Sequence, residues 1–173
     1  MRFPTPIRHG PRRGFTLMET GLATIIIGVG VKAVMELLAN GTTANYDGAE
    51  QTTAINLAKN IREMCLNLSF TDPVTPNVWG LDSGESASNP STINDLNDLD
   101  GLTFSPPLDS RKVAIAGWTD WSQAIVVHSV DPSRLTLDVP DGTTPANRIT
   151  VTISHKGKSI YTMTWYAFDG APP

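Results

Sequence analysis

One carboxylate, Glu19, stands inside the run Phe15 to Val31, whose other residues are apolar, glycine or hydroxyl-bearing. Placing a charged side chain at the centre of a bilayer costs on the order of 2.5–3.5 kcal/mol on insertion scales. A glutamate there calls for a cationic partner or a protein interior to face. A second group of oxygen donors, Asp95, Asn97, Asp98 and Asp100, crowds the stretch "NDLNDLDG" ahead of Gly101. An EF-hand register using Gly101 needs an oxygen ligand where Leu96 stands and a closing glutamate, and it has neither. The four side chains are therefore read as Asx-turns and helix caps, with a cation site as the alternative. His128 and His155 fall on strand-like or turn positions, and Cys65 falls on the apolar side of a helical pattern. No nucleophile elbow, phosphate loop or metal-ligand spacing accompanies them, so no enzyme activity and no cofactor are expected. Cys65 is the single cysteine, which excludes an intrachain disulfide and suits a core thiol.

The elements around Glu19 come in three parts. The leader "MRFPTPIRHGPRRG" carries Arg2, Arg8, Arg12 and Arg13 and no acidic residue, so it should remain cytoplasmic. The apolar run spans roughly 26 Å at about 1.5 Å per residue, enough for one tilted bilayer crossing with Lys32 snorkelling at its far edge. A secretory signal would place a small-residue cleavage box after the run, yet "AVMELLANG" continues with helix formers. The rest of the chain holds 9 of the 13 basic residues against all 17 acidic ones, which argues against nucleic acid as a partner. A length of 173 residues suffices for one helical stalk and one modest domain.

Basic leader, Gly14, Phe15, Thr16, Leu17, any residue, Glu19 and an apolar helix together resemble the type IV prepilin signal. The resemblance implies cleavage after Gly14 by a prepilin peptidase/N-methyltransferase, with Phe15 as the methylated new N-terminus. It also implies that Glu19 meets the terminal amine of a neighbouring subunit during filament assembly. That pairing turns two costly buried charges into one partner-dependent contact. The expected organisation is leader peptide 1–14, membrane and filament-core helix 15–39, and an extracytoplasmic head 40–173. The sequence departs from many major pilins in carrying Glu36 where they have proline and in lacking a C-terminal disulfide loop. Gly28 and Gly30 either loosen the helix or permit close helix packing. Lys32 and Glu36 form a solvated pair four residues apart.

In the head, Ala54, Leu57, Ala58, Ile61, Met64, Cys65 and Leu68 recur at spacings of three and four and mark one face of a helix that ends before Pro73. Thr42 or Thr43 is its expected cap, and Asn40-Gly41 is expected to interrupt the long helix or divide it in two. From Asp72 to Asp109 the composition predicts a long surface connection. Strands are predicted over "KVAIAGW", "SQAIVVHSV", "RLTLDV", "RITVTISH" and "SIYTMTWYAF". The apolar sets of the last two meet only if Ile153 faces Tyr161, so a three-residue loop or a bulge is expected near Lys156-Gly157. The fold class is α+β, with the helix face on a C-terminal antiparallel sheet. Trp118 and Trp121 are read as packing at the sheet's core and rim, with a carbohydrate or subunit contact as the other role.

The segments "DLDGLTFSPPLDSR", "GWTDWSQAIVV" and "HKGKSIYTMTW" are similar to the globular part of minor pilins of the PilV-like group. Together with the N-terminal resemblance they imply a single-pass inner-membrane protein with its leader in the cytoplasm and its head in the periplasm. The implied partners are other pilins or pseudopilins, the peptidase, an inner-membrane assembly platform and the lipid bilayer. A pseudopilin of a type II secretion system is the alternative within the family. A membrane-anchored periplasmic hydrolase or sugar-binding protein is the alternative outside it.

Overall fold

The computed structural model describes residues 14–170. The leader before Gly14, with its four arginines, lies outside the described residues. Helix α1 runs Leu17–Cys65. It opens on Thr16, whose Oγ1 accepts the Glu19 amide at 3.2 Å, so one of the first unpaired N–H groups of the helix is capped from within the sequence.

Two compact units divide the chain between Tyr46 and Asp47. In the first, the stretch of α1 up to Val31 has Glu19 as its one charged residue, and every residue from Gly14 to Tyr46 is exposed. Asn40-Gly41 does not interrupt the helix, and neither Thr42 nor Thr43 caps it. Their hydroxyls donate back to the carbonyls of Leu38 and Ala39 at 2.9 and 3.1 Å. One glycine costs a helix about 1 kcal/mol relative to alanine, a local penalty too small by itself to break a helix 49 residues long. Lys32 and Glu36 pair at 3.5 Å on an exposed face.

In the second unit the predicted helix face is the buried one: Ala54, Leu57, Ala58, Ile61, Met64 and Cys65 are all buried, and Leu68 beyond the helix end is partly so. These side chains share one core with Ile125, Val127, Ile149, Val151 and Ile153 of an antiparallel sheet, giving the α+β arrangement. The strands are β1 (Thr103–Phe104), β2 (Trp121–Asp131), β3 (Arg134–Asp138), β4 (Ala146–His155) and β5 (Lys158–Phe168). Their order is β1-β2-β4-β5, with β3 pairing the far end of β2. Full burial of each large aliphatic side chain contributes about 1.5–3 kcal/mol.

Ile153 does face Tyr161, and the register shifts between Ile153 and Ser154. The hairpin combines a two-residue turn with a bulge. Lys156 and Gly157 both take positive φ, 50° and 78°, as a turn matching the strand twist requires, and the bulge restores the alternation of apolar faces. "KVAIAGW" is not a strand. Asp109 Oδ1 accepts the amides of Arg111 and Val113, both at 2.9 Å, and Lys112 adopts a φ of 66°, so this backbone closes a local loop instead of a ladder.

The segment from Asp72 to Asp109 is not simply a surface connection. Ile93, Leu96, Leu99, Phe104 and Leu108 all enter the core, Ile93 just after a 3-10 turn at Pro90–Thr92 and Leu99 within another at Asn97–Leu99. The helix backbone is tied to the sheet by Gln123, which is fully buried. Its Nε2 donates to the carbonyls of Leu57 and Leu108 at 3.0 and 3.1 Å, and its Oε1 accepts the Leu108 amide at 2.7 Å. With donor and acceptor both used, a polar side chain on the core face carries no desolvation penalty of the kind an unpaired amide would.

Candidate functional site

Around Glu19 the helix satisfies its hydroxyls internally. Thr20 Oγ1 donates to the Thr16 carbonyl at 3.2 Å and Thr24 Oγ1 to the Thr20 carbonyl at 2.9 Å. Such back-bonding lets hydroxyl side chains enter hydrocarbon. The Glu19 carboxylate takes no hydrogen bond and no ion pair among the described residues, and it lies in the first turn of the helix. Phe15, immediately after Gly14, is 79% exposed. Gly14, Phe15 and Glu19 therefore sit at one end of a helix long and apolar enough to cross a membrane.

The acidic stretch is built differently. Asp95 Oδ1 accepts the amides of Asn97 and Asp98 at 2.8 and 3.0 Å, and Asp98 Oδ2 accepts those of Asn94 and Asp95 at 2.9 and 3.2 Å. Asn97 accepts the Gly80 amide at 2.6 Å and donates to Asp95. Asp100 accepts the Val127 amide and the Trp79 indole N–H at 2.9 and 3.2 Å. Each of the four weak cation candidates is thus engaged with backbone or indole donors. No group of three or more His, Cys, Asp or Glu side chains is arranged to hold a metal ion among the described residues.

The network extends to Asp72, Asp82 and Glu85. Asp72 caps Val74 and Thr75, the Thr75 hydroxyl donates to Asp82, and Glu85 accepts from the Asp82 amide and the Asn94 side chain. Burial, and then the charges of Asp98 and Asp72, push the Asp95 carboxyl up to about 6. Loss of solvation, followed by Asp98 and Asp82, pushes Glu85 up to about 7. Asp72 moves the other way, held down first by the Thr75 amide.

Among the described residues neither His128 nor His155 is coupled to a nucleophile. His128 Nδ1 lies 3.6 Å from Asp141, but the adjacent Ser129 projects to the opposite face of β2. The Ser129 hydroxyl donates to Asn147 at 3.1 Å and accepts the Gly142 amide at 2.9 Å. His155 pairs with Glu50 of α1 at 2.5 Å and stacks on Trp121, with ring centroids 4.3 Å apart and planes 10° apart. Trp118 meets Trp121 at 5.9 Å in a tilted arrangement. Both tryptophans pack against the core, and one face of Trp121 is already covered by His155, which favours the packing role over an open sugar platform. Burial pushes the Cys65 thiol up to about 12, as suits an inert core residue.

Reasoning from sequence missed Gln123, Asn147 and the Glu50–His155 pair. The first two were detectable only as polar residues at apolar-face positions of strands β2 and β4. Comparison with known proteins finds no matching family model, no matching curated protein and no matching solved structure.

Proposed function

We propose that this chain is a prepilin-like subunit, a minor pilin that assembles through its N-terminal helix into a type IV pilus or a related filament. The observation that supports the reading is Glu19: a carboxylate without a partner among the described residues, on a helix turn where the Thr20 and Thr24 hydroxyls bond back to their own backbone, five residues past Gly14. Cleavage after Gly14 would free the amine of Phe15. That amine and the Glu19 of a neighbouring copy are opposite charges, each costly alone in hydrocarbon and much less so together. Leaving the bilayer for a bundle of like helices exchanges lipid contact for helix contact, and Gly21, Gly28 and Gly30 leave room for close approach. The head takes no part in chemistry in this reading. It presents an acidic, hydrogen-bonded surface to water.

Intact-mass and N-terminal analysis of protein extracted from membranes tests the processing step. The expected N-terminus is N-methylated Phe15. An N-terminus beyond Ala39 would mean ordinary secretion and would end the filament reading.

A further inference from the structure

A cleft of about 150 Å³ opens on the head between the Phe70–Trp79 segment and the loop that leads into β4. Asn147 reaches it from β4. This residue is 1% exposed and its Oδ1 accepts from Ser129, while its Nδ2 makes no hydrogen bond among the described residues and is left open to the cleft. Asp141 supplies an acceptor, since Oδ1 takes the Ser129 amide at 3.0 Å and Oδ2 takes no hydrogen bond among the described residues. Trp79 and Phe70 add aromatic wall, and Gly142, at φ 75°, brings its backbone within reach of the Trp79 ring.

The chemistry of this lining selects its ligand. Asp141 is the one ionisable side chain lining the cleft among the described residues; the other polar ones are amides and hydroxyls. A single carboxylate repels an anion and is too little charge to hold a bare divalent cation. Mixed donors and acceptors beside aromatic wall suit groups that both donate and accept, namely hydroxyls. At about 150 Å³ the cleft is small and open, so it takes part of one sugar ring and leaves the rest in water. We propose that this cleft binds a single neutral pyranose unit, as at the end of a glycan, with Asn147 and Asp141 as its polar contacts and Trp79 and Phe70 as its wall. This assignment does not depend on the filament reading.

Saturation-transfer NMR on the full-length protein, in a zwitterionic detergent without a sugar headgroup, tests it with the methyl pyranosides of glucose, galactose and mannose. Transfer to at least one of the three is expected, together with a shift of the Trp79 indole resonance. Asn147→Asp, which replaces the free donor by an acceptor, should weaken binding about tenfold or more. Asn77→Trp, at an exposed position on the cleft's mouth, should block it, and it decides alone if Asn147→Asp fails to fold. Absence of transfer to all three glycosides, or transfer undiminished in Asn77→Trp, would overturn the proposal.

Discussion

Between Leu17 and Tyr46 the backbone is helical throughout and every side chain is exposed, whereas between Ile93 and Phe104 there is scarcely a turn of regular structure and most side chains are buried. The helix meets its backbone hydrogen bonds locally, so it forms without any tertiary partner and leaves its apolar surface unspent. The acidic segment meets its backbone hydrogen bonds through carboxylates and amides of its own, at Asp72, Asp95, Asn97, Asp98 and Asp100, and so can carry Ile93, Leu96 and Leu99 into the core without a helix or a ladder. Regularity and burial are separate solutions to the same requirement that polar backbone groups be paired. In this chain the regular part leaves its apolar surface exposed, and the irregular part has buried its own.

The largest expected effect comes from emptying the irregular part's contribution to the core. Leu99→Ala should lower stability by about 2–5 kcal/mol in urea unfolding, while Val29→Ala in the exposed helix should leave the same transition unmoved. Comparable effects at both positions would erase the distinction. Asp98→Ala comes next. It strips the acceptor from the amides of Asn94 and Asp95 and should cost about 1–3 kcal/mol, with Asp98→Asn, which keeps an oxygen, costing less.

The acidic segment should also give the head a characteristic pH response. Glu85, raised from 4.5 to about 7, and Asp95, raised from 3.8 to about 6, hold their protons more tightly in the folded state. Between the unfolded and folded values the native state binds more protons, so their contribution to stability is full below about pH 4 and is lost as pH rises towards 7. Asp72, Asp109 and Asp131 are lowered from 3.8, and the stability they add is lost as pH falls through their folded values. A melting temperature that peaks in the mildly acidic range is expected, and Glu85→Gln should flatten its decline towards neutrality. A smaller effect still, close to none, is expected from removing the chain before Thr42. The remaining fragment keeps the whole buried helix face and should melt cooperatively near the temperature of the full-length head. An aggregated or non-cooperative fragment would show that the two parts are not separable.

The same contrast explains what could be read from the residues alone. The helix face Ala54 to Cys65 and the Ile153–Tyr161 register were legible because each is a local period, 3.6 or 2, imposed by burial on one side. The burial of Ile93, Leu96 and Leu99 was not, since no period marks a segment whose geometry is set by side-chain capping. "KVAIAGW" carried strand-like composition, but Asp109 claims the amides a ladder would need. Asn40-Gly41 looked like a stop because its local penalty is visible in the sequence and the stabilisation from flanking residues is distributed. For the candidate assembly site, the types and spacing of Gly14, Phe15 and Glu19 were all present in the sequence. The internal pairing of Thr20 and Thr24, which leaves Glu19 unmatched among the described residues, needed the structure.

On the proposed reading Glu19 is retained for a neighbour's amine, and the decisive experiment separates sheared filaments from membranes in cells expressing wild-type or Glu19→Ala chains. Insertion in the membrane and cleavage after Gly14 should persist in the variant, since a costly carboxylate has been removed and the leader is intact. Glu19→Ala should accumulate in the inner membrane and be lost from the filament fraction, with Glu19→Asp intermediate. Equal amounts of wild type and Glu19→Ala in sheared filaments would contradict it.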